Sequence, residues 1–200
     1  YEYDRLTDRV YPPFSKVQVA VIRGLMKNWH QPVYFDFDKN MTKELLKEII
    51  CEVEKAGYPV HCVVSDMGGA NQGLHGDLGI SAEKNFFDNP HDAERKIHVL
   101  ADVPHLLKLL RNHFIDHGFI VNGEFINAAP IKELLEYQNE DFRMAHKITM
   151  NHLLVKGTER QRVPLAAQLF SNSVASSIRI LGTRGELKSP NWKSTAQFIR

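Results

Sequence analysis

An acidic residue follows a run of strand-forming residues in the segment VVSDMGGANQ. Asp66 comes directly after Val63 to Ser65 and is followed by the glycines Gly68 and Gly69. An acid at the end of a strand can close a turn, cap the next helix or hold a metal ion through its carboxylate oxygens. Turn and cap acids are common, so the residues by themselves favour the two structural roles slightly over the metal site.

Four further side chains are of types that could bind a metal ion or take part in catalysis. Asp36 and Asp38 share a strand face, but they end a strand just before a helix start, where turn acids are ordinary, and we favour the turn. In the segment ADVPH, Asp102 is placed to cap a helix, and His105 is expected to pack near the site rather than bind metal.

The helix predicted after Pro104 carries polar residues along one side. Lys108, Arg111 and Asn112 could bind phosphate groups, although an ordinary solvated helix face explains them equally well. His113 and His117 are spaced i, i+4, but they lack the HExxH pattern and the nearby cysteines that would indicate zinc.

Composition limits the classes of protein that these residues can belong to. The 200 residues have a net charge of +1, so any nucleic-acid-binding surface must be local. The two cysteines, Cys51 and Cys62, form no CxxC pair and suit a reducing compartment. We find no membrane span or signal-peptide pattern, and because the chain starts on Tyr1 in strand-like sequence, we expect a fragment.

Hydrophobic periodicity predicts the elements that position these residues. Strands are predicted at 1–4, 9–11, 16–25, 33–38, 60–64 and 96–101, and helices at 41–56, 71–78 and 104–118. Asn40 or Thr42 can cap the first helix, and Gly57 stands where it would end. The near-continuous apolar run at 60–64 is typical of a parallel strand.

The order β-β-β-α-β-α-β-α predicts a mixed sheet with helices on its faces. Ligands in such sheets gather at strand ends where the order reverses, and Asp66 is expected there. After residue 118 the pattern changes to shorter helical pieces at 131–137, 142–153 and 165–178, so we predict a domain boundary near Gly118. The helix at 165–178 is interpreted most simply as core.

Several segments together resemble one family. They are YEYDRLTDRVYPP, KVQVAVIRG, QPVYFDFDKNMT, VVSDMGGANQ, VLADVPHLLKLLRNHF and AAQLFSNSVASSIR, spread over nearly the full chain. In these segments the chain resembles the P-element transposases and their THAP-domain relatives. The resemblance implies an α/β fold with an RNase H-like mixed sheet (β-β-β-α-β-α-β) that lacks part of its first strand, at 1–118. A mostly α-helical, incomplete GTP-binding insertion domain would follow at 119–200.

The resemblance implies that the protein cuts and rejoins transposon-end DNA. It also implies that the reaction uses Mg²⁺ or Mn²⁺ held by two Asp and one Glu. Asp66 matches the second of these carboxylates, whereas the first Asp and the final Glu would lie outside this chain. Two metal ions about 4 Å apart stabilise the attacking and leaving oxygens of phosphodiester transfer. With the resemblance, the role of metal ligand is favoured for Asp66 over the role of helix cap. The resemblance also implies DNA as a partner, with Lys108 and Arg111 as candidate contacts.

Nucleotide binding is implied by the resemblance alone, because the chain has no GxxxxGK[ST] loop. Alignment with the family places Asp141, Lys147 and Val163 near a guanine nucleotide, with Asn151 as a weaker candidate. Without the resemblance, the lysine would be ordinary surface and the valine core.

Three functions follow as alternatives. The first is a fragment of an active, nuclear transposase that forms homo-oligomers and does not bind membranes. The second is a domesticated relative that binds DNA and partners but no longer cuts. The third is a nucleotide-binding module with no nuclease role.

Overall fold

The first half of the chain alternates strands and helices nearly in the predicted order. In chain order the elements are β1 (Glu2–Asp4), β2 (Arg9–Tyr11), β3 (Val17–Arg23), β4 (His30–Phe37), α1 (Lys43–Lys55), β5 (Cys62–Ser65), α2 (Gly69–Asp77), β6 (Phe86–Asp88) and β7 (Lys96–Ala101). The structure is a computed structural model that describes residues 2–11, 13–139 and 143–200. It divides into two units, Tyr1–Ala101 and Asp102–Arg200.

Helix α1 begins and ends as the sequence predicts. The Thr42 side chain accepts a hydrogen bond from the Leu45 N–H, and Gly57, with φ of 88°, follows the last turn in a conformation that suits glycine. One face of the helix packs into the core of the first unit, which is formed by Leu46, Ile50, Leu74, Leu78, Phe87, Ile97 and Val99.

Three strands of the first unit form a mixed sheet in the order β5-β7-β6. β5 runs parallel to β7, with Ser65 opposite Ala101, so the parallel pairing predicted from the apolar run is confirmed. β6, which the sequence did not predict, is antiparallel to β7. The mixed α/β fold class is confirmed.

Strands β3 and β4 form a separate antiparallel pair. Among the described residues, β3 pairs only with β4 and β5 only with β7, so each has one unpaired edge. Six consecutive residues of β3, Gln18 to Arg23, line the same cavity of about 370 Å³ as His61 to Asp66. Side chains of a strand alternate between the two faces of a sheet, so a cavity lined by every successive residue of a strand must lie along the edge of that strand. The unpaired edges of β3 and β5 therefore both border this cavity. We call it the strand cleft.

The second unit is mostly helical and contains one hairpin. Its elements are α3 (Val103–Asp116), β8 (Phe119–Val121), β9 (Glu124–Ile126), α4 (Ala129–Tyr137), α5 (Val163–Leu169), α6 (Asn172–Thr183) and α7 (Trp192–Ile199), with 3₁₀ helices at Met150–His152 and Gly157–Gln161. Its core includes Phe114, Ile131, Leu134, Leu169, Val174, Ile178 and Leu181. Within the described parts of both units, no helix is long and apolar enough to cross a bilayer.

The second unit corrects two predicted helices. The helix expected at 165–178 is two helices, because Ser171 starts α6 by accepting a hydrogen bond from the Val174 N–H. The helix expected at 142–153 is also wrong, since the described residues 143–153 contain only the 3₁₀ helix Met150–His152.

Helix α3 groups with the second unit, whereas the sequence predicts a domain boundary at its end, near Gly118. Its Phe114 is fully buried and stacks against Phe198 of α7, which explains the grouping. The predicted apolar stripe of α3 is only partly buried, because Leu106 and Leu110 are 40% and 37% exposed.

Candidate functional site

Asp66 lies immediately after β5, at the mouth of the strand cleft. Its Oδ1 atom accepts hydrogen bonds from the Gly68 N–H and from Nδ2 of Asn71, both at 2.8 Å. The side chain is therefore held by the turn that leads into α2, as the turn interpretation predicts. Because the residue is exposed, the same arrangement presents a fixed carboxylate to solvent.

The glycine two residues later allows this arrangement. A Cβ atom at Gly68 would stand 3.0 Å from Oδ1 of Asp66, a very tight contact, whereas a Cβ at Gly69 would meet nothing within 4 Å. Gly68 is thus needed for a close approach of backbone and carboxylate rather than for an unusual backbone angle, since its φ is −64°.

A buried acid on α1 fixes the chain just before β5. The side chain of Glu54, only 4% exposed, forms an ion pair with Arg95, and its Oε1 accepts hydrogen bonds from the Val60 N–H and from Asn89, both at 2.8 Å. Burial alone would raise the pKa of Glu54, but these hydrogen bonds and the Arg95 charge outweigh it and lower the pKa from 4.5 to about 2.

A second contact ties β5 to the helix after Asp66. Ser65 Oγ and His75 Nε2 are 3.0 Å apart, so the last residue of β5 is hydrogen-bonded to α2. With Glu54 before the strand and His75 after it, both ends of β5 are anchored to helices. The position of Asp66 follows from these anchors.

The two other candidate acids of the first unit, Asp36 and Asp38, are engaged in local structure. Asp38, at φ of 51°, accepts hydrogen bonds from the N–H groups of Ser15 and Lys16, which closes the end of the β3–β4 pair. Asp36 accepts from Lys39, and this hydrogen bond is the main reason that its pKa lies below the ordinary value. Within the described residues, no group of three or more His, Cys, Asp or Glu side chains could hold a metal ion.

The nucleotide candidates lie in and around the segment between α4 and α5. Lys147 and Asn151 are exposed, and Val163 is the partly buried first residue of α5. Asp141 lies outside the described residues.

A buried histidine ties this segment to α5. His152 Nδ1 accepts a hydrogen bond from the Thr149 N–H at 3.1 Å, so the proton is on Nε2, which donates to Gln168 Oε1 at 2.8 Å. The segment that carries Lys147 and Asn151 is thereby held against the helix that begins at Val163.

Comparisons with known proteins identify two domains in this chain. A model of the TNP-like RNase H N-terminal domain matches residues 1–79, and a model of the TNP-like GTP-binding insertion domain matches residues 104–200. The Transposable element P transposase of Drosophila melanogaster is 46% identical over 201 residues, which cover 100% of this chain and 27% of that protein. The chain belongs to the P element transposase family.

Two further relatives extend the comparison. The human DNA transposase THAP9 is 26% identical over 207 residues, covering 94% of this chain and 22% of that protein. The solved Drosophila P element transposase strand transfer complex has a TM-score of 0.92 and 44% identity, and the match covers 99% of this chain and 45% of that chain. The chain thus spans about a quarter of the length of the curated relatives that it matches.

The two predicted DNA contacts of α3, Lys108 and Arg111, differ in their exposure to solvent. Lys108 is half-buried, but Arg111 is fully buried, so the prediction that Arg111 lies on an accessible polar face is wrong. Its Nη2 atom donates to the carbonyl of Arg160 at 2.8 Å, and no described partner meets its buried Nη1. Burial lowers the pKa of its guanidinium from the ordinary value, and the nearby Arg160 charge adds to this effect. Arg111 therefore holds the 3₁₀ helix Gly157–Gln161 against α3.

The remaining predicted residues of α3 lie where their sequence positions suggest. Asp102 occupies the N-cap position, although its side chain makes no capping hydrogen bond. His105 is partly buried. The rings of His113 and His117 lie 5.0 Å apart, and His113 also packs on Phe119.

No hydrogen-bonding role for Asn71 or Glu54 was predicted from the sequence. Gly68 and Asn71 were within the quoted segment, and their proximity to Asp66 was the available signal. No local pattern marks Glu54, because its partners Asn89 and Arg95 are distant in sequence.

Proposed function

We propose that this chain is part of a P element-type DNA transposase that cleaves transposon-end DNA and joins it to a target. In this proposal the protein works in the nucleus as a homo-oligomer, with Mg²⁺ or Mn²⁺ and GTP as cofactors. The observation that carries it is Asp66, a fixed and exposed carboxylate at the carboxyl end of β5, in a chain of this family.

Asp66 fits a hard divalent cation. Carboxylate oxygens are the ligands that Mg²⁺ and Mn²⁺ prefer, and Mg²⁺ keeps several of its waters, so few protein ligands are needed. Such a metal supplies charge stabilisation for the attacking and leaving oxygens of the phosphodiester. Gly68, Asn71 and the anchors of β5 would keep the Asp66 carboxylate in one orientation, which limits the reorganisation needed when the cation binds.

The strand cleft suggests how further ligands reach Asp66. A strand inserted between β3 and β5 would pair with both unpaired edges and extend towards Asp66. We propose that the family's first catalytic Asp arrives on such a strand. One carboxylate supplies too few protein ligands for a two-metal site, so we expect residues 1–200 by themselves to be inactive in cleavage.

The second unit would hold the guanine nucleotide. We propose Lys147 as a phosphate contact and the backbone of Val163 as a base contact, with Asn151 and Asp141 as further candidates. The His152–Gln168 hydrogen bond supports this proposal, because it holds the segment of Lys147 against the helix of Val163.

The decisive experiment replaces the carboxylate in the full-length protein. Asp66→Ala should abolish metal-dependent cleavage and strand transfer while DNA binding, measured by fluorescence anisotropy, stays nearly unchanged. Cleavage that survives this substitution would show that Asp66 is not a metal ligand.

Asp36→Ala and Asp38→Ala are matched controls, since both acids are accounted for by local hydrogen bonds. They should lower thermal stability more than cleavage. Full-length wild-type protein that binds DNA and GTP but never cleaves would instead favour the domesticated relative. A protein that binds GTP but not DNA would favour the nucleotide-binding module.

A further inference from the structure

Four cations collect on the outer surface of α6 and α7. Two adjacent surface clefts, of about 450 and 320 Å³, share Arg179 and Thr183 in their walls. Arg184 lines the first cleft, and Lys193 and Arg200 line the second. All four cations are exposed, and no described carboxylate side chain lines either cleft. We call these two clefts the basic clefts.

Six other cations in the described part of the chain lie beside an acidic side chain. Lys39, Lys55, Arg95, Lys96, Lys132 and Arg160 each form an ion pair with an acidic side chain. None of the four cations of the basic clefts forms an ion pair among the described residues. Because the whole chain carries a net charge of only +1, this surface is a local concentration of positive charge.

The close packing of α6 and α7 creates the second cleft. A Cβ atom at Gly182 would lie 2.2 Å from Cδ2 of Trp192, so the indole ring rests directly on the α6 backbone. This approach brings Lys193, the next residue along α7, to the same cleft as Arg179 and Thr183. The arrangement of the cations therefore depends on a specific helix–helix contact.

The dimensions suit a repeating anion. The segment from Ser176 of α6 to Arg184, the residue that caps its C-terminus, rises by about 12 Å at 1.5 Å per residue. Phosphates of one DNA strand rise by about 3.4 Å each along the duplex axis, so a segment of this length placed along that axis would cover the rise of roughly three or four of them. A single small anion would leave most of the four cations without a partner.

We propose that the basic clefts of α6 and α7 bind the phosphate backbone of double-stranded DNA. This inference rests on the proposed transposase function, and it assigns DNA contact to a surface of the second unit other than the nucleotide candidates. The contact is sequence-independent, because backbone phosphates carry no base identity. Its role is to hold and orient a duplex while other parts of the protein select its sequence.

The test is a charge reversal in the full-length protein. The double variant Arg179→Glu, Lys193→Glu is compared with the control Lys27→Glu, Lys156→Glu, which changes the net charge equally at exposed lysines that lie outside the clefts. Binding to a labelled 20-bp duplex is measured by fluorescence anisotropy between 0.05 and 0.3 M salt. Circular dichroism and thermal melts check that both variants fold, and Arg179→Gln, Lys193→Gln replaces the reversal if it does not.

The expected result follows from counterion release. Each phosphate contact contributes about 0.9 to the slope of log affinity against log salt, so losing two contacts should reduce the slope by about 1.8. If affinities converge near 1 M salt, this corresponds to about 60-fold weaker binding at 0.1 M. The control variant should keep a slope close to that of the wild type.

Several outcomes would overturn the inference. Equal slopes and affinities for the cleft and control variants would show that the clefts do not contact DNA. Loss of GTP binding with unchanged DNA binding would assign the clefts to nucleotide phosphates instead. If the wild-type protein fails to bind duplex DNA at all, the proposed function fails too, whereas normal wild-type binding with an unaffected cleft variant refutes this inference alone.

Discussion

Glu54 should make the first unit sensitive to acid. Its folded-state pKa of about 2 lies well below the ordinary value of 4.5, because Arg95, Asn89 and the Val60 N–H stabilise the charged form. A group whose pKa is lowered on folding stabilises the protein above its unfolded-state pKa, and this stabilisation is lost as the pH falls through the folded-state pKa. The stabilisation from Glu54 should therefore be complete above pH 5 and disappear between about pH 4.5 and 2.

The magnitude follows from the size of the shift. A difference of about 2.5 pKa units at 1.36 kcal/mol per unit gives an order of 3 kcal/mol. Little reduction for solvent screening is needed, because the Glu54 side chain is only 4% exposed. Glu54→Gln keeps the shape of the side chain but removes its charge, so it should lower the free energy of unfolding by about 2 to 3 kcal/mol at pH 7 and flatten its dependence on acid.

Urea denaturation from pH 7 to pH 2.5 would measure this difference. The fluorescence of Trp29 reports on the first unit when Trp192 in the second unit is replaced by Phe. The control is Glu52→Gln, since Glu52 lies on the same helix but is exposed and paired with Lys55 at the surface. If the wild type and Glu54→Gln lose stability in parallel between pH 4.5 and 2.5, the hydrogen bonds of Glu54 do not hold its pKa down.

Three further predictions concern single side chains. Lys147→Ala should weaken GTP binding of the full-length protein by about 1 to 3 kcal/mol, and unchanged affinity by calorimetry would remove Lys147 from the nucleotide site. Arg111→Met should lower the melting temperature of the second unit, because it removes a buried donor from a backbone carbonyl; an unchanged melting temperature would contradict this role. Gly68→Ala should reduce cleavage at least tenfold by displacing the Asp66 carboxylate, whereas Gly69→Ala should not, and equal activity of the two variants would argue against the tight contact.

The parts of the site that could be predicted from sequence are those formed locally. Asp66, Gly68 and Asn71 lie within six residues, so a strand followed by a glycine turn was enough to place them together. The caps of α1 were equally predictable, since Thr42 and Gly57 have the side chain and the backbone freedom that helix ends require.

One missed element had a clear local signal. The hairpin β8–β9 turns through Asn122 and Gly123, which have φ values of 51° and 81°. Asn-Gly between two short apolar runs is the usual sequence of such a turn, so this hairpin could have been predicted.

Other errors had tertiary causes. Arg111 is polar, and helical periodicity placed it on the outer face of α3, but the 3₁₀ helix Gly157–Gln161 covers it and supplies carbonyl acceptors. No pattern in the sequence of α3 indicates that another segment of the chain covers Arg111. The same limit applies to Glu54, whose role depends on Asn89 and Arg95, which are distant in sequence.

The strand cleft links the stability of the first unit to its chemistry. Val19, Val21 and Val64 are 42%, 52% and 57% exposed although they lie on the two strands that border the cleft. Exposed apolar side chains beside unpaired backbone groups favour association with any available strand. A strand that enters the cleft would cover these valines, satisfy both edges and bring its own side chains near Asp66. Under the proposed function, assembly of a metal site at Asp66 and closure of the sheet would therefore be a single event, and Asp66 would gain its partner ligands only when a strand occupies the cleft.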